Sequence, residues 1–349
     1  MKNMLVTGGC GFIGANFIRY LLKESDFTGR IVNVDNLTYA GNPENLADIE
    51  NEYKDRYVFI KADICDGTKM AEIFEEYRVD SVCHFAAESH VDRSIVKPDA
   101  FIQTNIIGTF NLLESARSCQ SRMILFHHIS TDEVYGSLGR EGYFKETTPY
   151  KPNSPYSASK ASSDHLVRAY YKTYGLPMTI YNCSNNYGPY QFPEKLIPLI
   201  ILNALEGKSL PVYGDGRNVR DWLYVRDHCI AIWIIMKNGK RGETYNVGGD
   251  SEMENIKLVK MICDILDEED KLSDGRSRRD LITFVKDRPG HDLRYAIDFS
   301  KLNKELNWSP ETSLETGIRY TIQWYMDNRK WIERVKSGEY QTWIKTHYR

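Results

Sequence analysis

A doubly wound α/β fold on a parallel sheet is what the sequence predicts, and three observations carry that expectation. The chain opens on a short apolar run, Met4-Leu5-Val6-Thr7, which passes directly into the turn Gly8-Gly9-Cys10-Gly11-Phe12-Ile13-Gly14. Apolar residues then return at helical spacing at Phe17, Ile18, Leu21 and Leu22. Beyond this strand–turn–helix start, apolar runs of strand length alternate with helical stretches, the pattern of strands joined by crossover helices.

Taken in order, the second strand candidate is Arg30-Ile31-Val32-Asn33-Val34, ending on Asp35. Further candidates lie at 57–62, 82–86, 123–130 and 178–183, separated by helical stretches at 70–77, 101–116 and 157–174. A parallel sheet of this kind is covered on both faces, and crossover chirality makes its winding right-handed. After about residue 181 the rhythm breaks. Turn residues crowd at Asn185, Asn186, Gly188, Pro189, Pro193 and Pro198, and Gly214-Asp215-Gly216 sits between polar segments. The stretches 224–236 and 244–247 read as returns to the main sheet, and the charged segment 267–280 as a solvated loop or helix end. The division expected is a nucleotide domain over residues 1–181, completed by segments near 222–250, and a smaller interleaved α/β substrate domain made mainly of 182–349.

Composition removes several function classes. The 349 residues carry 45 Lys and Arg against 48 Asp and Glu, a net charge of −3, which excludes a broad basic surface for nucleic acid. Hydrophobic residues at 42% and charged residues at 27% are globular values. The longest apolar run, 229–236, is far short of the ~18 residues of a membrane span. The start leaves no room for a signal-peptide apolar region. Seven cysteines without a CxxC pair argue against a disulfide framework or structural zinc. Eight scattered histidines show no HxH or HExxH pattern, so no metal is expected. A cytoplasmic protein with no nucleic-acid or membrane partner is the expectation.

The glycines at positions 8, 11 and 14 carry a specific demand. In such a turn the first permits the tight bend, the second lets backbone approach a pyrophosphate, and the third allows close helix–strand packing. The helix N-terminus then presents unpaired N–H groups to phosphates. Asp35, 21 residues after Gly14, is placed to bind ribose hydroxyls, and an acid there favours NAD over NADP. A bare glycine turn is the plain alternative; the strand, helix and acid together point to a Rossmann-type dinucleotide site.

Tyr156-Ser157-Ala158-Ser159-Lys160 sets a tyrosine and a lysine four apart, on one helical face. A nearby ammonium lowers a phenol's pKa, and the phenolate can take a proton from an alcohol. Upstream lies the strand end Ile129-Ser130-Thr131, followed by Asp132-Glu133. Two adjacent carboxyl groups push their pKa values apart, so one can serve as base and the other as acid. A surface aromatic–lysine pair and a solvated acidic turn are the bland readings of the same residues.

The turn TGGCGFIG, the Tyr156/Lys160 pair and Ser130-Thr131 resemble the extended short-chain dehydrogenase/reductase family, and most closely its nucleotide-sugar dehydratases. The likeness extends through DNLTYAGN at 35–42, AAESHVDRSI at 86–95, STDEVYG at 130–136, NNYGPYQFPEKLIP at 185–198, RDWLYV at 220–225 and DRPGHDLRYAID at 287–298. It therefore spans nearly the whole chain. The resemblance implies dehydration of dTDP-glucose to dTDP-4-keto-6-deoxy-glucose. The route is transient oxidation at carbon 4 by NAD, loss of water across carbons 5 and 6, and hydride return to carbon 6. Thr131, Asp132, Glu133, Tyr156 and Lys160 would be catalytic. Phe12, Ile13, Asn36, Leu37, Thr38, Asp63, Ile64, Phe85, Ala86, Ala87, Glu88, Ser89, Thr104 and Asn186 would line the cofactor site with Gly8, Gly11, Gly14 and Asp35.

For the nucleotide sugar, the resemblance implies Ser89, Thr131, Asn185, Lys195, Leu196, Pro211, Val212, Tyr213, Arg220, Asn255, Asp287, Arg288, Pro289, Gly290 and His291. Arg220 beside Asp221 is either a surface ion pair of small worth or a buried fork suited to phosphate, and the resemblance favours the fork. It also implies a homodimer through a four-helix bundle built from 101–116 and 157–174. His127 and His128 read as packing or hydrogen-bonding residues. Trp324, Tyr325, Trp331, Tyr340 and Trp343 read as helix packing. Other functions kept open are a 4-epimerase or decarboxylase of the same fold, a 4,6-dehydratase using UDP- or CDP-glucose, and a nucleotide sensor without turnover. Asp132-Glu133 speaks against the epimerase, and the retained Tyr156 and Lys160 against the sensor.

Overall fold

Six of the apolar runs become parallel strands in the computed structural model, which describes residues 1–269, 271–287 and 290–336. They are β1 (Asn3–Thr7), β2 (Arg30–Asp35), β3 (Tyr57–Lys61), β4 (Ser81–His84), β5 (Leu125–Thr131) and β6 (Met178–Cys183). Short strands follow: β7 (Asn185–Tyr187), β8 (Leu210–Tyr213), β9 (Val219–Tyr224), β10 (Thr244–Val247), β11 (Glu252–Glu254) and β12 (Ile282–Val285). The main sheet has seven strands in the order β10-β6-β5-β4-β1-β2-β3, all parallel. This is the doubly wound Rossmann-type arrangement, with an extra strand at one edge.

The order reverses between β1 and β4, so helices leave opposite faces there and a crevice opens at the carboxyl ends of the strands. Thr7 pairs with both Val34 and His84, and Thr131 with Cys183, so these strand ends share one rim. Alternate residues of β1 serve opposite faces. Met4 and Val6 pack with Phe17, Ile18 and Leu21 of the Phe12–Lys23 helix, whereas Leu5 packs with Phe74, Leu112 and Val167. Both faces being covered, all seven residues of β5 are buried. A third apolar cluster, including Ile200, Ile201, Leu258, Ile262 and Ile318, lies off the sheet. It is associated with the small sheets β11-β9-β7 and β12-β8.

Two expectations are corrected. The stretch 224–236 does not enter the sheet: Tyr224 closes β9, and the Val225–Asn238 helix packs on the Phe12–Lys23 helix; only β10 joins, beside β6. A wholly apolar run cannot separate strand from buried helix, which is why its sequence misled. The stretch 101–116 is not one α-helix but Asp99–Phe101, a widened π turn over Ile102–Gly108, and Thr109–Ser118. Within that turn Asn105 points inward, bonded to both backbone groups of Glu88 and to the Ser159 hydroxyl. The charged segment 267–280 is a helix end and an exposed turn, as expected, in which, among the described residues, Arg278 alone is buried and pairs with Asp267 at 2.8 Å.

His127 and His128 are fully buried in β5, the first bonded to the Thr179 hydroxyl at 2.7 Å. Trp324, Tyr325 and Trp331 pack on one another as expected; Tyr340 and Trp343 lie outside the described residues. Among the described residues no helix is long and apolar enough to cross a membrane.

Candidate active site

The crevice at the switch point is a cavity of about 460 Å³ running from the glycine turn, past the ends of β1, β4 and β5, to β8 and β9. At one end, Gly8 has φ +72, and a Cβ added there would stand 2.7 Å from the Ala86 backbone nitrogen. A Cβ on Gly14 would stand 2.3 Å from the Gly8 carbonyl oxygen, so the helix can begin this close to β1 only without one. Gly9, which the sequence reading passed over, is as tightly placed against the Asn33 side chain. The helix is capped by Gly11, whose lack of a side chain leaves first-turn amides facing the cavity beside Phe12 and Ile13.

Asp35 ends β2, where its two carboxyl oxygens accept from the N–H groups of Cys10 and Leu37 at 2.9 and 2.8 Å. Burial pushes its pKa up, and these two bonds hold it down. Asn36 donates to Asp63 at 2.8 Å across the same rim. Glycines too close for any side chain, open helix amides and a carboxylate at the second strand end fit a dinucleotide with free ribose hydroxyls. Of the residues expected to line this end, all do so except Leu37. Leu37 takes a left-handed φ of 55 and shapes the loop by donating to Asp35.

At the other end the groups are side chains. Thr131 closes β5, and its hydroxyl caps the short helical turn Asp132–Tyr135 by accepting from the Glu133 N–H at 3.3 Å. Glu133 faces the cavity with Thr131, Tyr156 and Lys160. Asp132 does not. It is buried just behind the wall, bonded to the Thr131 hydroxyl at 3.3 Å. Burial, then the charges of Glu133 and Asp221, push the Asp132 carboxyl well above its usual range, so it is the protonated member of the pair.

Tyr156 and Lys160 stand one turn apart on the Pro155–Tyr174 helix, started by a capping box of Ser154 and Ser157. Here the structure corrects the expected electrostatics. Burial and then the charge of Glu133 push the Tyr156 phenol up, not down. The Lys160 ammonium donates to the Ile129 carbonyl at 2.7 Å, and burial brings it down to about 8.

The expected substrate residues Ser89, Asn185, Lys195, Leu196, Pro211, Val212, Tyr213, Arg220, Asn255 and His291 all line the cavity. Asp287 and Gly290 do not: Asp287 stands behind His291, 2.6 Å from its Nδ1, and Gly290 turns the chain with φ +66. Arg288 and Pro289 lie outside the described residues. Arg220 is buried and donates to backbone carbonyls of Val219 and Asp292, its guanidinium 4.3 Å from the centre of the Tyr295 ring. Asp221 accepts instead from the N–H groups of Gly249 and Ser251, so the surface-pair alternative is gone.

Sequence reasoning missed Cys183, Ser184, Gln191, Glu194, Trp222 and Tyr295, which also line the cavity. Gln191, Glu194, Trp222 and Tyr295 lie inside the sequence blocks that carried the resemblance. Glu194 is almost fully buried and accepts from the Tyr39 hydroxyl at 2.9 Å, tying the loop after β2 to the segment before the Leu196–Leu205 helix.

Comparison with known proteins bears on the whole chain. The family model described as GDP-mannose 4,6 dehydratase matches residues 5–321. The dTDP-glucose 4,6-dehydratase 1 of Escherichia coli K12 is 56% identical, covering 99% of this chain and 98% of that protein. The NAD complex of dTDP-glucose 4,6-dehydratase from Bacillus anthracis has a TM-score of 0.85 at 46% identity, covering 96% of this chain and 100% of that one. The dTDP-glucose 4,6-dehydratase of Streptomyces venezuelae, also solved with NAD, gives 0.88 at 44% identity over 95% and 99%. The chain belongs to the GDP-mannose 4,6 dehydratase family, within the extended short-chain dehydrogenase/reductases, and closely resembles the dTDP-glucose 4,6-dehydratases.

Proposed function

We propose that this protein is a hydro-lyase that converts dTDP-glucose to dTDP-4-keto-6-deoxy-glucose using NAD, a step of deoxysugar biosynthesis. One observation carries it: Glu133 faces the same cavity as Tyr156 and Thr131, with a second carboxyl, Asp132, buried behind the wall where its protonated form is favoured. Oxidation and epimerisation do not need that acid pair; removing water from a sugar does. The nearly full-length likeness to dTDP-glucose 4,6-dehydratases supports the same substrate.

NAD, when bound, takes up hydride from sugar carbon 4 and returns it at carbon 6. Tyr156 receives the proton of the 4-hydroxyl at its phenolic oxygen, and the Lys160 ammonium offsets the charge that the phenol's proton loss creates. Thr131 donates to the same sugar oxygen as it becomes a ketone. That ketone acidifies the proton on carbon 5, and Glu133 removes it. Asp132 protonates the departing hydroxyl of carbon 6. Because its carboxyl lies behind the wall, this donation requires Asp132 to rotate into the cavity alongside Thr131. Arg220, oriented by Tyr295, binds the diphosphate.

The nucleotide domain comprises 1–181 with segments near 222–250, and the substrate domain mainly 182–349; separate apolar clusters support this division, except that Leu302 and Trp308 pack with the nucleotide domain. Two copies pair through 101–116 and 157–174 as a four-helix bundle. Ile102, Ile107, Phe110 and Tyr174 are exposed along those segments, and Val96, 64% exposed, adjoins them. A cytoplasmic location agrees with seven free cysteines. Incubation with dTDP-, UDP- and CDP-glucose tests the function: the expected result is loss of one water from the dTDP sugar without net gain of reduced nicotinamide. An unchanged mass, or an isomer of unchanged mass, overturns it. A monomer at micromolar concentration in sedimentation overturns the dimer.

A further inference from the structure

On the Pro155–Tyr174 helix the four-residue spacing of Tyr156 and Lys160 continues to Asp164, so all three share one face. Asp164 is fully buried. One carboxyl oxygen, Oδ2, accepts from the Ser130 hydroxyl and from the Tyr150 hydroxyl, each at 2.9 Å. The other, Oδ1, is buried 3.2 Å from His128 Nε2 and accepts no hydrogen bond among the described residues. A buried carboxylate satisfied on one side only is costly unless a cation stands near. Lys160 and Arg168, one turn before and one turn after Asp164 on the same helix, supply positive charge there without a direct ion pair. Burial lowers the His128 imidazole well below its usual range, which disfavours a charge on it beside Asp164.

We propose that Asp164 is a positioning residue for the reaction. It is the buried counter-ion that keeps the Lys160 ammonium charged and seated on the Ile129 carbonyl, one turn from Tyr156, and it anchors the helix to β5 immediately before Thr131. The proposal rests on the role assigned to Tyr156 and Lys160 above. Strand and helix are joined by the Lys160 bond to the Ile129 carbonyl and by the Ser130 bond to Asp164, at the point where Thr131, Glu133 and Tyr156 must converge. The groups facing Asp164 are His128 and Ser130 from β5, Tyr135 from the turn after it, Tyr150 from the following loop, and Lys160 and Arg168 from its own helix. Burial raises Asp164 to about 6 and lowers Lys160 to about 8, while each charge draws the other toward ionisation. Activity should therefore fall on the acid side as Asp164 gains its proton and on the alkaline side as Lys160 loses its own.

The test is the pH profile of kcat for the NAD-loaded enzyme and two variants. In Asp164→Asn the counter-charge is gone, Lys160 loses its proton more easily, and the alkaline limb should move down by about one pH unit, about tenfold in kcat above it. KM for the nucleotide sugar should stay within about twofold, because Asp164 lies outside the cavity wall. Tyr150→Phe keeps the charge but removes a donor to Oδ2, so the acid limb should move up and the alkaline limb stay in place. A purely structural role would lower kcat evenly across pH in both. An unmoved alkaline limb in Asp164→Asn overturns the proposal; if that variant does not fold, an unmoved acid limb in Tyr150→Phe does so. A Tyr156→Phe enzyme of parent activity would instead overturn the roles on which the proposal rests.

Discussion

At the cofactor end of the cavity the wall is shaped by Gly8, Gly11 and Gly14, with the Asp35 carboxylate at the end of β2. At the reaction end each acting group is a side chain, and Thr131, Glu133, Tyr156 and Lys160 reach it from β5, the turn that follows it and a helix beginning 24 residues after Thr131. The core of the first end, the glycine turn and Asp35, is a consequence of local backbone geometry within the first 35 residues. The second depends on β5 and the Pro155–Tyr174 helix being locked together. Ligand contact made by backbone is insensitive to side-chain identity except where a Cβ intrudes, whereas proton transfer depends on each group's charge state.

The sharpest way to break the reaction end alone is Tyr156→Phe. It should lower turnover by about 10²–10⁴ and prevent any absorbance of reduced nicotinamide on adding substrate, while cofactor binding measured by calorimetry stays near parent. Glu133→Gln and Asp132→Asn should slow dehydration by a similar factor, about 10²–10⁴, yet leave the first oxidation partly intact. Reduced nicotinamide should then accumulate on the enzyme in stopped-flow absorbance. Parent rates in both variants would mean the acidic turn is merely buried structure.

A smaller effect is expected in the substrate half. Arg220→Ala should weaken nucleotide-sugar binding by roughly 1.5–3 kcal/mol, read by calorimetry, if the guanidinium bonds the diphosphate. At the cofactor end, Asp35→Ser should cut the preference for NAD over NADP by about tenfold in competitive binding while leaving kcat with saturating NAD near parent. Equal preference in the parent protein would remove Asp35 from that role.

The smallest effect separates the chemistry from the scaffold beneath it. His127 and His228 are fully buried, and burial lowers both to about 3. The unfolded chain binds protons on them near pH 6.5 and the folded chain does not, so they reduce stability as pH falls from about 6.5 toward 3. Tm should drop through that window, and His228→Asn should flatten the slope by calorimetry without shifting the limbs of the kcat profile.

Much was legible in the chain because local chemistry is periodic. The glycine turn, Asp35, the Tyr156/Lys160 spacing and the alternating apolar runs each lie within a few turns of sequence, and the sheet, the crevice and most cavity residues followed from them. What only the tertiary structure decided involves distance and burial. It set the Val225–Asn238 run as a helix, because an apolar stretch packs equally well as either element until its neighbours are placed. It put Asp132 behind the wall and Glu133 on it, since adjacent residues in a short helical turn point apart. It raised the Tyr156 phenol where spacing alone suggested lowering, because the phenol is buried beside Glu133 while the Lys160 ammonium is seated on a carbonyl. It also brought Glu194 and Tyr295 to the cavity from segments whose sequence spacing holds no record of contact, since long-range packing has no period to read.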